Sequence, residues 1–179
     1  MEFKFVPQLH EYANVSPQKL VAVTALPAAQ RYLHFIKEIA ASGAVCGLCR
    51  GDRWVMTTTE DEIAVFLLWP AGKCAQEFRD MSANYVYTAW YQYEPRFIEL
   101  KDFTQNLLPL LKEQDILPGI FFTPFENGIT PSVDELLSDI DNYYQQWFAD
   151  HPREGQWDAG KMKFNNGCNK VASIKTGLK

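Results

Sequence analysis

Cys46 and Cys49 form the one spacing in the sequence that suggests chemistry, because thiols three residues apart occur in redox and zinc sites. A redox pair needs a helix that begins at the first cysteine, since the helix N-terminus lowers the pKa of its thiol. Here a turn over residues 50–53 follows, and a second β run begins at Trp54. Side chains three apart in a strand point to opposite faces. We therefore predict two structural core thiols.

Other reactive groups are scattered along the chain. A zinc site needs a second cysteine pair or histidines at ligand spacing, and the remaining cysteines and the histidines show neither: Cys74, Cys168, His10, His34 and His151. The acidic run 60–62 lacks the spaced oxygens and glycine of a calcium loop. No glycine-flanked serine elbow or glycine-rich phosphate loop occurs. The sequence predicts no metal site, no cofactor and no catalytic residue, although a Ser-His or Cys-His dyad assembled from distant segments stays open.

The strongest surface candidate is an aromatic segment with five large rings in nine residues. Its members are Tyr85, Tyr87, Trp90, Tyr91 and Tyr93. Such rings are enriched at protein interfaces. Stacking on single-stranded nucleic acid would require basic neighbours, and none occurs between Arg79 and Arg96. The same rings would also serve as ordinary cover for a sheet. The two interpretations are a surface for a protein or small ligand, including a second copy of the chain, and a core.

Periodic patterns predict the elements that must position these groups. A helical stripe with Gly43 after it predicts a helix over 26–40. Runs at 44–49 and 54–59 around Gly51-Asp52 predict a hairpin. The apolar run 62–69 predicts a central strand that is buried on both faces.

The second half of the chain continues the alternation. We expect a short helix at 71–79, strands at 96–100 and 119–123, a helix from Asp102 that kinks near Gln105 because of Pro109, and a last helix from Ser132. Ser132 and Glu135 have capping-box spacing at its start. The predicted class is α/β (α+β), with helices packed on a mixed sheet of about five strands that includes the hairpin.

Charge and composition limit the partners. The net charge of −5 disfavours nucleic acid. No apolar run is long enough for a membrane span, and no leader pattern begins the chain, so we expect a cytoplasmic protein. Residues 1–148 carry 11 Lys+Arg against 19 Asp+Glu, and residues 149–179 carry 6 against 3. These numbers predict one acidic α/β domain over 1–148 and a basic C-terminal extension over 149–179.

Ordered small motifs give the chain a family resemblance. They are Arg31-Tyr32, Phe35-Ile36-Lys37, Gly47-Leu48, Trp54, Leu68-Trp69-Pro70, Tyr93-Glu94-Pro95, Ile98, Leu100, Phe103, Leu107-Leu108-Pro109, Leu111, Phe122-Thr123-Pro124 and residues 131–137. Over residues 26–148 the chain resembles the bacterial family called domain of unknown function 2750. The resemblance implies an α/β domain and carries over no catalytic residue. Where that family has an aromatic residue before Gly47, this chain has Cys46.

Two function classes follow. The first is a non-catalytic protein-binding or interaction domain, of the immunity or regulatory kind, whose acidic body complements a basic partner or which forms a homodimer. The second is an enzyme whose site comes from distant segments. A pocket with several perturbed ionisable groups would favour the enzyme, and a broad aromatic patch on an acidic face would favour the binding protein.

Overall fold

The computed structural model describes residues 15–85 and 88–150. Helix α1 (Pro17–Thr24) begins at Ser16, whose hydroxyl accepts a hydrogen bond from the Lys19 amide at 3.2 Å. Helix α2 (Ala28–Ser42) ends at Gly43, which has a φ of 70°. A left-handed residue is what closes many helices, and glycine adopts it without a Cβ penalty. The predicted helix over 26–40 is confirmed within two residues at either end.

One three-stranded sheet has the order β2, β1, β5. Strand β1 (Ala44–Arg50) pairs antiparallel with the short β2 (Arg53–Trp54) and, along its other edge, with β5 (Glu94–Glu99). The turn at Gly51-Asp52 joins β1 and β2, and Gly51 has a φ of 60°. The predicted hairpin is confirmed, but it is two residues deep on its second side.

The second three-stranded sheet has the order β3, β4, β6. Strand β4 (Ala64–Leu68) lies between β3 (Met56–Thr58), which is antiparallel to it, and β6 (Leu117–Ile120), which is parallel. Every residue of β4 after Ala64 is buried, which confirms a central strand. The predicted strand over 119–123 is wrong at its ends, because Phe121 has a φ of 51° and stops the extended chain after Ile120.

The two sheets adjoin through the edge of β1 that also pairs with β2. Cys46 and Trp69 exchange backbone hydrogen bonds of 2.9 and 2.8 Å. Val55 links both sheets, since its amide donates to the Leu48 carbonyl and its own carbonyl accepts from the Leu67 amide. The second half of the predicted hairpin therefore crosses to β4 after Trp54. A mixed α+β fold is what the structure shows, with its strands divided between two small sheets.

Helices follow both sheets. Helix α3 (Gly72–Tyr85) is longer than the predicted 71–79 and leads to a 3₁₀ segment, Thr88–Gln92. After β5 come α4 (Leu100–Asp102), a π-helical turn (Phe103–Leu107) and α5 (Leu108–Glu113). The predicted kink near Gln105 is this π turn, in which the Leu108 amide reaches back to the Phe103 carbonyl and Pro109 needs no acceptor.

Helix α6 (Val133–Asp150) begins at the predicted capping box. The Glu135 amide donates to the Ser132 hydroxyl at 3.2 Å, and the Ser132 amide donates to the Glu135 carboxylate at 2.8 Å. The helix packs along α2, where the Tyr32 hydroxyl donates to Asp139 at 2.6 Å. The extension predicted from residue 149 lies, from residue 151 onward, outside the described residues.

Candidate functional site

A cleft of about 580 Å³ opens beside β3, and its volume lies within the range of ligand sites. One wall is β3 with the turn that follows it, and the other is the loop over 122–130. The side chains of Val65 and Leu67 on β4 lie between the walls, and both are buried. Phe78 and Ser82 of α3 line the cleft as well.

A row of aromatic rings in tilted and edge-to-face contact forms the apolar floor. The Phe78 ring lies 5.0 Å from that of Trp69 and 5.4 Å from that of Trp90, measured between centroids. The Trp69 indole N–H donates to the Phe122 carbonyl at 2.9 Å, which ties the floor to the loop wall. Phe78 and Trp90 of this row line the cleft, and so does Phe122 of the loop wall. The floor is therefore built from side chains that the core already holds in place.

The rim beside β3 is acidic and ordered. Glu60 and Asp61 line the cleft from the turn between β3 and β4, and both are exposed. Thr59 closes this turn, since its amide donates to the Ile63 carbonyl at 2.9 Å and its hydroxyl accepts from the Ile63 amide at 3.1 Å. No Lys, Arg, His or Cys is among the described residues that line the cleft. Its charge is therefore negative.

Arg31 holds the opposite wall. Its side chain is 1% exposed, and its guanidinium donates to the carbonyls of Phe121 at 3.0 Å and Asn127 at 2.8 Å. It also donates to the Leu26 carbonyl at 2.6 Å and to the Glu126 carboxylate at 2.5 Å. A single planar donor group therefore fixes both ends of the loop to the start of α2.

The loop is further closed upon itself. The Thr123 amide and the Glu126 amide each bond across the turn, at 3.0 Å to the Glu126 carbonyl and 3.1 Å to the Thr123 hydroxyl. A Cβ on Gly128 would stand 1.9 Å from the Ile120 carbonyl oxygen, so only glycine allows this approach. The turn displays Phe125, whose side chain is 76% exposed although its backbone is held.

The structure divides the aromatic segment predicted from the sequence. Tyr85 is the last residue of α3, and Tyr87 lies outside the described residues. Trp90 and Tyr93 are half-buried with their rings 6.2 Å apart, and Tyr91 is 49% exposed. Trp90 alone of the segment's described residues lines the cleft. A role of this segment as a partner surface stays a prediction.

The thiols of Cys46, Cys49 and Cys74 are free and buried. Burial raises the pKa of all three, that of Cys74 to about 12, where the neighbouring Glu77 carboxylate adds to the effect. The Cys49 thiol donates to the Gly51 carbonyl at 2.9 Å, away from Cys46. A protonated buried thiol is a poor nucleophile and a poor metal ligand. These contacts suit the structural role that the sequence predicts.

Glu77 is a further ionisable group near the core. One carboxylate oxygen is buried and has no hydrogen-bond partner among the described residues, and burial raises its pKa. His34 lies on the neighbouring helix α2 with its pKa lowered by burial. Among residues 15–85 and 88–150, no cluster of three ligating side chains could hold a metal ion, and no helix is long and apolar enough to cross a membrane.

Sequence reasoning missed the cleft and its anchor. Arg31 stands in a helix whose pattern only shows that its position faces the core, and its four acceptors come from positions 26 and 121–127. The signal that was available is an arginine on the apolar stripe of a helix, since a buried guanidinium requires paired acceptors. The acidic run 60–62 is visible in the sequence, but the sequence does not show that Glu60 and Asp61 line the same cleft as Trp90.

The described residues thus form a mixed α+β fold, and its cleft has an acidic rim and an aromatic floor. The sequence profile of the family described as "Protein of unknown function (DUF2750)" matches residues 32–140, and the chain belongs to this family. The resemblance found in the sequence is thereby confirmed. No curated protein and no solved structure matches the chain significantly.

Proposed function

We propose that the protein is a non-catalytic, cytoplasmic interaction protein that binds an extended basic and apolar segment of a protein partner in the cleft beside β3. The observation that carries this proposal is the combination of an edge strand, an apolar floor and an acidic rim in one place. A regulatory or immunity-like role, in which the protein masks its partner, agrees with such a site. Each feature contributes a different part of the recognition.

The edge strand supplies backbone groups. Strand β3 pairs only with β4 in its sheet, and its three residues are exposed. An edge strand presents unpaired N–H and C=O groups, and an extended peptide can add to them as a further strand. Thr57 lies opposite Val65, so the face of β3 that carries Thr57 continues into the cleft. Alternate side chains of an added strand would therefore point into the cleft.

The floor and the rim supply selectivity. Apolar side chains of the ligand would pack in the cleft against the half-buried Trp90 ring, while its basic groups would meet Glu60 and Asp61. The net charge of the rest of the body is also negative, because residues 1–148 carry eight more acidic than basic residues. An acidic surface speeds the approach of a basic partner at low salt.

Phe125 extends the surface beyond the cleft. It stands on the turn that Arg31 and Glu126 fix, next to Pro124 of the cleft wall. An exposed ring whose backbone is already ordered loses little entropy when a partner covers it. We include Phe125 in the binding surface, together with Trp90 and the exposed Tyr91.

The test is calorimetric titration of the full chain with a blocked six-residue peptide that alternates lysine with valine and phenylalanine. The same peptide with glutamate in place of lysine is the ligand control. We expect binding of the lysine peptide and no measurable binding of the glutamate peptide. The double variant Glu60→Gln/Asp61→Asn should weaken the lysine peptide about fivefold, since two exposed ion pairs are worth about 1 kcal/mol.

A matched variant separates local from general charge. Glu113→Gln/Asp115→Asn removes the same two charges from exposed residues that do not line the cleft. It should leave the affinity within about twofold. Equal affinity for both peptides, or equal losses in both double variants, would contradict the proposal.

The enzyme with a site assembled from distant segments remains the second candidate, and Glu77 is the observation that favours it. A half-buried carboxyl group with a raised pKa is suited to proton transfer. However, its neighbour Cys74 is held protonated, and Glu77 does not line the cleft. The binding function has the better support because its residues share one cavity.

A homodimer through the aromatic segment is a separate proposal, and the oligomeric state by light scattering tests it.

A further inference from the structure

We propose that the cleft is occupied, in the free protein, by the chain's own basic segment 161–164, which competes there with the partner. This inference rests on the proposed function, since it assigns a regulator to the same cleft. Residues 151–179 contain six Lys+Arg and two Asp+Glu. Their charge is opposite to that of the cleft rim and of the body.

The sequence of the segment matches the chemistry of the cleft. Residues 161–164 read Lys-Met-Lys-Phe. In an extended strand alternate side chains point to opposite sides, so Met162 and Phe164 share one side and the two lysines share the other. When this segment adds to the edge of β3, the apolar pair enters the cleft and the lysines stay within reach of Glu60 and Asp61.

The chain length allows the contact. Helix α6 starts three residues after Thr130 of the cleft wall and contains 18 residues, so its last residue lies about 27 Å farther along the helix axis. Ten residues separate Asp150 from Lys161. Fully extended, they span about 33 Å or slightly more. The segment can therefore return to the cleft without unwinding α6.

Attachment to the same chain makes a weak contact sufficient. A short connection within one chain gives an effective concentration in the millimolar range. A segment that would bind the cleft with a dissociation constant of about 1 mM as a free peptide is then bound in a large share of the molecules. A partner segment must displace the bound segment. The partner's association constant is therefore multiplied by the fraction of chains in which the cleft is open.

The natural chain offers a specific probe for this contact. Cys168 lies four residues after Phe164, whereas Cys46, Cys49 and Cys74 are buried, with pKa values raised by burial. A nitroxide reagent for thiols should therefore label Cys168 selectively in the folded, full-length protein. Amide resonances near the label lose intensity through paramagnetic relaxation.

We expect the strongest loss of intensity at the amides of residues 56–61 and 122–130. The double variant Lys161→Glu/Lys163→Glu should restore these intensities and should bind the six-residue lysine peptide about twofold more tightly. The matched variant Lys175→Glu/Lys179→Glu changes the same charge outside the alternating segment, and it should keep the loss of intensity. Restoration in both variants would mean a non-specific charge effect and would overturn the inference.

Two further outcomes separate this inference from the proposed function. If the label affects no cleft amide while the added lysine peptide still shifts those amides, the inference is overturned and the proposed function stands. If neither the segment nor the peptide reaches the cleft, both are overturned. A mixture of nitrogen-15 chains without label and labelled chains without nitrogen-15 gives the last control. Loss of intensity in this mixture would place the segment on a second copy and would contradict an intramolecular contact.

Discussion

Replacement of Arg31 by alanine should remove the support of one cleft wall and a large share of the stability. The guanidinium is fully buried and is bound to three carbonyls and one carboxylate at 2.5 to 3.0 Å. Without it, the carbonyls of Leu26, Phe121 and Asn127 lose a charged donor, and a buried unsatisfied group costs about 1–3 kcal/mol. Such losses share one site and are not additive, so we expect a decrease of about 3–5 kcal/mol in the free energy of unfolding.

Two controls define what the loss reports. Arg31→Lys keeps the charge but has no planar fork, so it should recover only part of the stability. Glu126→Gln should cost less than about 1 kcal/mol, because this carboxylate is 56% exposed and an amide oxygen still accepts the bond. Arg53→Ala removes an exposed arginine of β2 and should change stability by less than about 0.5 kcal/mol.

The assay is urea unfolding together with amide hydrogen exchange of residues 121–128. In Arg31→Ala, these amides should lose protection at a urea concentration at which the rest of the protein is folded. A decrease in stability of less than about 1 kcal/mol, with unchanged exchange in the loop, would refute the reasoning that Arg31 holds the wall.

Three further results are expected. First, Cys46, Cys49 and Cys74 should resist a thiol reagent until the protein unfolds, as peptide mapping would show, and reaction at the rate of a free thiol would contradict burial. Their folded pKa values are raised, that of Cys74 to about 12, so the folded state keeps protons that the unfolded state releases. Stability should therefore fall as pH rises from about 8.5, by up to about 1.4 kcal/mol per pH unit for each thiol. Second, a chain that ends after Asp150 should melt cooperatively at nearly the same temperature, and loss of cooperative melting would show that the extension is part of the fold. Third, Trp90→Ala should lower the stability by about 2 kcal/mol, since it removes the edge contact with Phe78, and should weaken the lysine peptide; an unchanged affinity with a lowered melting temperature would mark Trp90 as core alone.

Local patterns predicted the helices well because their causes are local. The stripe of α2, its left-handed stop at Gly43 and the capping box at Ser132 each depend on residues within four positions of one another. The π turn was visible as a kink for the same reason, since Pro109 removes a donor whose acceptor would be Gln105. Such local signals do not depend on contacts with distant parts of the chain.

Strand partners and the cleft depend on distant residues, and the sequence did not reveal them. Val55 leaves the hairpin because its carbonyl accepts from Leu67, and Phe121 ends β6 in a conformation that Arg31 binds across 90 positions. In both cases the backbone conformation depends on a contact with a distant residue, which the local sequence pattern does not contain. The aromatic segment illustrates the same limit, because Trp90 lies in the floor of the cleft through its contact with Phe78 of α3, while Tyr91 is exposed.

The central claim is that the cleft beside β3 binds an extended basic and apolar segment. Amide chemical-shift mapping of the full chain with the six-residue lysine peptide tests it most directly. We expect shifts at residues 56–61 and 122–130 and at the Trp90 indole, with slowed hydrogen exchange at the outward-facing amides of β3. Shifts confined to another face, such as α1 or α6, or no shifts at a peptide concentration of several millimolar, would contradict it.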